Sequence, residues 1–155
     1  MDRPRLEVER VDPDTPAASS LLEAYFRELR DRLAPTPVEV IARWPDDFRG
    51  PRAAVVLGRE AVQAVGCAGL RPLGEGVLEL KHFFLAGEAR GRGLGRKLLV
   101  GVEEVARSLG AKRIVLDTAP PLTEAAALYR SAGYLSIPRY NDNPHCSAWF
   151  GKDLA

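Results

Sequence analysis

Between Ala53 and Thr118 the rhythm of apolar residues changes twice, and this restricts the chain more than any other feature in it. "AAVVLG" (53–58), "AVQAVGCAGL" (61–70) and "VLELKHFFL" (77–85) read as strands. They are joined by the short glycine-containing connections Gly58-Arg59-Glu60 and Leu73-Gly74-Glu75-Gly76. Connections of that length suit antiparallel neighbours. The period then turns helical. Leu94, Leu98, Val102, Val105 and Leu109 form one stripe, and Gly110 stands where a left-handed cap would end it. "RIVLDT" (113–118) follows that helix as a fifth strand, the wiring of a β-α-β crossover. The outcome is α+β: a mostly antiparallel sheet with one crossover and helices on its faces.

The flanks extend this plan. "LEVERV" (6–11) reads as a first strand, and Thr15 and Pro16 suit the cap and first position of a helix. Ala18, Leu22, Tyr25, Leu29 and Leu33 mark its buried face until "APTP" (34–37) stops it. Residues 34–52 are loop-rich, with one short helical turn near Val38–Arg43. A segment of that length is often functional. Near the other end, "TEAAALYRSAG" (123–133) reads as a helix capped by Thr123 and Gly133. "YLSI" (134–137) and "SAWFGKDL" (147–154) read as closing strands around the polar loop "PRYNDNPHC".

A chain of 155 residues is expected to form one domain, residues 1–155, with a core that needs no staples. The net charge of +1 argues against a nucleic-acid-binding face or attraction to an anionic membrane, so any anion site must be local. No apolar run reaches the roughly 18–20 residues of a membrane span, and "MDRPRLEVER" has no apolar signal core. Cys67 in a strand and Cys146 in a polar loop read as free thiols of a reducing, cytoplasmic compartment.

The local anion site is suggested by "EARGRGLGRKLL" (88–99). The first N–H groups of a helix have no internal partner, and the peptide dipoles leave about half a positive charge there. An anion placed at that end takes up the free donors. Gly91, Gly93 and Gly95 lack a Cβ, so a phosphate oxygen could approach the backbone closely, and Arg90, Arg92, Arg96 and Lys97 surround the same turn. A solvated glycine turn is the plain alternative. Two other phosphate loops fail by letter. A Walker A loop needs Gly-Lys-Ser/Thr, whereas Gly95 is followed by Arg96, Lys97 and Leu98. A dinucleotide-binding loop needs its third glycine at position 96, which is Arg96.

The run Arg90-Gly91-Arg92-Gly93-Leu94-Gly95 does fit Arg/Gln-x-x-Gly-x-Gly/Ala. With the strand "LELKHFFL" before it and "IVLDT" and "EAAALYRSAGY" after it, the chain resembles the GNAT family of N-acetyltransferases over roughly residues 6–154. The resemblance implies a central, mostly antiparallel sheet of six to seven strands flanked by about four helices. It also implies acetyl transfer from acetyl-CoA to an amine by direct attack on the thioester, with no metal. Residues Gly91, Arg92, Gly93, Leu94, Gly95 and Arg96 would hold the pyrophosphate, with Arg90 beside them. Phe83, Phe84 and Leu85 would pair with the pantetheine amides as a neighbouring strand does, in a region where the family's sheet splays.

Two protons must move in that reaction: one off the ammonium and one onto the departing thiolate. Tyr129 matches the family's general-acid position, and a phenol can protonate a thiolate whose parent thiol titrates near 8–9. A packing aromatic is the alternative. Glu79, in a strand position where family members carry a base, is the candidate base, directly or through water. Strict alternation would place it on one sheet face with Lys81 and Phe83, and Leu78, Leu80, His82 and Phe84 on the other. His82 is the alternative base by chemistry.

By resemblance, the acceptor site comes from residues 34–52 and 138–147. These carry Trp44, Asp46, Asp47, Phe48, Tyr140, Asn141, Asp142 and His145. Acidic and aromatic groups there could hold an ammonium. The expected partner is a small-molecule amine, with no nucleic acid and no membrane, and a homodimer through the sheet edges is compatible with the pattern. The rival from another class is a non-catalytic acyl-CoA-binding regulatory module, which would keep the cradle but lack the acid or base.

Overall fold

The apolar alternation from Ala53 onward becomes the centre of a single sheet in a computed structural model that describes residues 5–35, 45–120 and 122–155. The strands are β1 (Glu7–Val11), β2 (Ala54–Glu60), β3 (Gln63–Gly74), β4 (Val77–Leu85), β5 (Arg113–Thr118), β6 (Leu135–Ser136) and β7 (Ala148–Asp153). The helices are α1 (Pro16–Leu33), α2 (Leu94–Ser108) and α3 (Thr123–Ser131), with single 3-10 turns at Asp46–Phe48 and Gly87–Ala89. The sheet order is β1-β2-β3-β4-β5-β7-β6. Among the described residues only β4 and β5 pair in parallel, because α2 carries the chain between them. Three α-helices stand among the described residues where about four were expected, and the turn expected near Val38–Arg43 lies outside those residues.

Both hairpins are tighter than the glycines implied. Gly58, Arg59 and Glu60 stay in β2, opposite Gly66, Ala64 and Gln63, and the chain reverses at Ala61-Val62. Likewise Gly74 pairs with Val77, which leaves Glu75-Gly76 as the turn. Glycine within a strand can mark a bulge as readily as a turn, and the β2 register does shift between Gly58 and Arg59. The caps differ in detail. Thr123 is the first residue of α3, with Leu122 as its cap, and Gly133 at φ +93° lies one residue past the cap Ala132. Thr15 caps α1 by position only, since its hydroxyl donates to the Asp12 carbonyl at 2.6 Å.

Two apolar layers sandwich the sheet. Beneath α2 and α3, Leu70, Leu78, Leu80, Leu98, Leu99, Val102, Ile114, Leu116 and Phe150 pack together. Beneath α1 the layer is Leu21, Phe48, Val55, Leu57, Cys67 and Phe84. Each fully buried aliphatic side chain contributes about 1.5–3 kcal/mol relative to exposure. Gly69 has no side chain where the Phe48 ring lies, so the loop after α1 can dock on the sheet. No helix among the described residues is long and apolar enough to cross a membrane.

One irregularity sets the site. Gly69 faces Lys81, but Cys67 faces Phe84, so β4 contains one more residue than β3 over that interval. The extra residue is a bulge at His82, held at φ +55°. Alternation therefore inverts, which corrects the expected faces. Phe83 joins Leu78 and Leu80 on the α2–α3 side, while Phe84 belongs to the α1 layer. His82 meets the rings of Tyr25, Phe26 and Phe48.

Candidate active site

β4 and β5 pair only from Val77–Arg113 to Glu79–Val115, after which β5 continues with β7. The β5-facing edge of β4 beyond Glu79 is thus left without a strand partner, and the sheet opens there. A cavity of about 170 Å³ lies in the opening, walled by β4 residues Leu80 to Phe83, β5 residues Asp117 and Thr118, and Tyr25 and Phe26 of α1. Tyr129 of α3 and Asn143, His145 and Cys146 of the last loop complete it. The carboxyl ends of adjacent parallel strands are the usual place for a ligand in such sheets.

The glycine run lies at the mouth of α2. Gly91 and Gly93 have φ of +79° and +76°, and a Cβ on either would meet open space. The first helical bond runs from the Lys97 N–H to the Gly93 carbonyl at 3.5 Å. None of the N–H groups of residues 91 to 96 donates to an acceptor among the described residues. Six consecutive bare donors at a helix N-terminus form a ready site for an anion. The arginines are less available than their spacing implied. Arg92 is held by both Glu60 oxygens at 2.6 and 2.7 Å, and Arg96 reaches Ser131. Arg90 donates to the Leu85 carbonyl and to Glu28, and its guanidinium lies over the Phe84 ring. The bare donors of this turn are therefore those of the backbone.

On the α3 wall, Tyr129 is buried, and its ring touches those of Phe83, Tyr134 and Phe150 at centroid distances of 5.9, 5.8 and 6.3 Å. Its hydroxyl has no hydrogen-bond partner among the described residues. Burial, with smaller contributions from Tyr25 and Asp117, drives its pKa well above the usual phenol range. Tyr129 therefore keeps its proton at any working pH.

A polar belt occupies the α1 side. Glu79, 1 % exposed, accepts from Arg71 Nε at 2.8 Å on Oε1 and from the Tyr140 hydroxyl at 2.7 Å on Oε2. Arg71 also donates to Asp47 at 3.0 Å. Lys81 bonds Asp117 at 3.1 Å, and Asn141 and Asn143 donate to the same carboxylate at 2.6 and 3.3 Å. Burial alone would raise Asp117, but the Lys81 charge and these hydrogen bonds outweigh it and hold the carboxyl below its ordinary range. His82, which meets three aromatic rings at 5.2–5.7 Å among the described residues, is pushed down to about 3 by burial, with Lys81 and Arg71 adding to the effect. It is neutral near pH 7. Three carboxylates thus face two cations, a balance that favours a positively charged guest. Both cysteines are free, and burial pushes each thiol up to about 12, so neither is an activated nucleophile.

Of the residues singled out from the sequence, Tyr129, His82, Phe83, Asp47 and His145 line the cavity, and Tyr140 reaches the belt through Glu79. Glu79 is not part of the cavity wall, and both its oxygens are engaged. Asp142 is exposed and outside the wall, and Asp46 pairs with Arg49 at the surface. Trp44 lies outside the described residues. Sequence reasoning missed Arg71, Lys81, Asp117, Thr118, Asn143 and the ring pair Tyr25–Phe26 as site residues. Asp117-Thr118 could have been found, because both stand at the carboxyl end of the strand that follows the crossover helix.

Residues 17–134 match the family model described as the acetyltransferase (GNAT) family. An uncharacterized N-acetyltransferase of Schizosaccharomyces pombe is 33 % identical over 96 residues, 61 % of this chain, and the match spans 59 % of that relative's length. An IAA acetyltransferase of Azospirillum brasilense is 30 % identical over 132 residues, 84 % of this chain and 85 % of that protein. Among solved structures, a GNAT family acetyltransferase from Elizabethkingia anophelis with acetyl-CoA bound superposes with a TM-score of 0.69 at 19 % identity, covering 96 % of this chain and 98 % of that one. At that identity the likeness is one of fold.

Proposed function

The chain belongs to the GNAT acetyltransferase family, and from that premise we propose that it transfers an acetyl group from acetyl-CoA to a primary amine of a small molecule, by direct attack on the thioester. The observation that carries this is the row of bare N–H groups at residues 91–96, together with a sheet edge that opens beyond Glu79. A diphosphate suits the first, and an extended amide-bearing arm suits the second. Acetyl-CoA bound to a protein of the same fold supports the choice of donor.

Each residue of the cleft then has a task. The N–H groups of residues 91–96 bind the diphosphate, and the open edge at Phe83–Leu85 holds the arm. Tyr129 carries the proton that the departing sulfur takes up. The belt of Asp47, Glu79 and Asp117 favours a cationic acceptor and holds it near the thioester. Glu79 takes the acceptor's proton through the Tyr140 hydroxyl, which already bonds its Oε2. The unactivated thiols of Cys67 and Cys146 support direct transfer over an acyl-cysteine route.

Titration calorimetry with acetyl-CoA tests the cradle, and thiol release with a panel of small amines tests turnover. Gly93→Glu places bulk and negative charge on a left-handed residue at the helix mouth, so acetyl-CoA binding should be lost. Normal binding by that variant would refute the placement of the diphosphate. Binding without thiol release from any amine would favour the regulatory module.

A further inference from the structure

We propose that the Thr118 hydroxyl is a donor reserved for acyl-CoA: unbonded in the free protein, it donates to a carbonyl oxygen of the acyl-pantetheine arm when the cleft is filled. This rests on the acetyl-CoA reading above and adds a binding residue to it. Among the described residues, Thr118 Oγ1 is the only buried side-chain nitrogen or oxygen with no hydrogen-bond partner. Thr118 is 6 % exposed and belongs to the cavity wall.

Its surroundings explain why no protein group answers it. Thr118 ends β5, just beyond the stretch where β5 pairs with β4. Its neighbour Asp117 turns toward Lys81, Asn141 and Asn143 in the polar belt. Strand alternation puts Thr118 on the opposite face, that of Leu116, which packs in the layer holding Leu80 and Tyr129. That layer gives the cavity wall Leu80, Phe83, Ala125 and Tyr129, three of them wholly apolar. The backbone carbonyl of Thr118 is already taken by the Ser147 N–H at 3.2 Å, which fixes the residue in place. Valine would fill the same volume without leaving a hydroxyl unpaired, and a buried unpaired hydroxyl is destabilising. A threonine at this position serves no packing purpose that valine would not serve better. It does serve a ligand whose carbonyl arrives in this cavity, whose wall also carries the Tyr129 hydroxyl.

The test compares wild type, Thr118→Val and Thr118→Ser by thermal melting of the free protein and by calorimetric titration with acetyl-CoA. Removing an unsatisfied hydroxyl should raise the melting temperature of Thr118→Val by roughly 2–6 °C. The same change should weaken acetyl-CoA binding roughly 3- to 10-fold, since one hydrogen bond is no longer made. Thr118→Ser, which restores a hydroxyl, should recover most of that affinity. Stability and affinity thus move in opposite directions, which a purely structural role would not produce. Unchanged affinity in Thr118→Val overturns the proposal. So does a fall in its melting temperature, which would mean that the hydroxyl is bonded within the free protein. Absence of binding by wild type would instead overturn the acetyl-CoA reading itself.

Discussion

Tyr129→Phe separates chemistry from packing more cleanly than any other change in this cleft. The substitution deletes one oxygen and leaves the ring, so the contacts with Phe83, Tyr134 and Phe150 at 5.9, 5.8 and 6.3 Å survive. The deleted hydroxyl has no hydrogen bond to lose among the described residues. Stability should therefore hold within about 1 kcal/mol, because the hydroxyl faces the cleft and makes no bond that the free protein would lose. A general acid contributes typically 10²- to 10⁴-fold. A thiolate whose parent thiol titrates near 8.5 leaves partly unaided, so the lower end applies: about 10²-fold in kcat, or about 2.7 kcal/mol at 1.36 kcal/mol per decade. The assay is thiol release at saturating acetyl-CoA with an amine found in the panel, beside calorimetry and a thermal melt of the same preparation. Wild-type turnover in the variant would return Tyr129 to packing. A loss of rate that tracked a loss of cofactor affinity or of melting temperature would refute the acid role equally. The raised pKa adds a check, since activity should show no alkaline fall from this phenol up to about pH 10.

Two further outcomes follow from the belt. Arg71→Ala leaves the 1 % exposed Glu79 with Tyr140 alone, at a cost of about 2–4 kcal/mol once the 35 % exposure of the arginine is discounted, and a urea titration showing under 1 kcal/mol would contradict the buried pair. For His82 the folded pKa, about 3, lies below its ordinary 6.5, so the folded state binds fewer protons than the unfolded one. Its contribution is present above pH 6.5 and is lost as pH falls toward 3, at up to about 1.4 kcal/mol per pH unit. Urea titrations between pH 6.5 and 4 should show this slope flattened in His82→Asn, which tolerates the positive φ; an equal slope in both proteins would rule out a neutral, buried His82.

The order of elements was legible in the chain because periodicity is a short-range property. The stripe Leu94, Leu98, Val102 and the alternation of "VLELKHFFL" need no knowledge of distant residues, and α2 and β4 begin where those patterns begin. The glycine run was equally local. Bare N–H groups at a helix start follow from helix geometry itself, and three glycines leave nothing to cover them. The resemblance carried by "RGRGLG" added what the mouth would hold.

The faces of β4 were not legible, since a bulge is decided by register against β3. A single added residue at His82 moved Phe83 to the Tyr129 side and brought His82 under the rings of α1. The fate of the arginines was hidden for a similar reason: Arg92 is paired with Glu60, 32 residues earlier, which the glycines assigned to a turn but which ends β2. What the sequence determined by itself was therefore a succession of helices and strands and one uncovered helix mouth, all consequences of bonds spanning a few residues. Tertiary structure alone decided that β4 and β5 part after Glu79, that Asp117 collects Lys81, Asn141 and Asn143, and that Thr118 is left without a partner. Those outcomes depend on which distant groups the sheet brings within about 3 Å of one another, and no local rule of spacing contains that information.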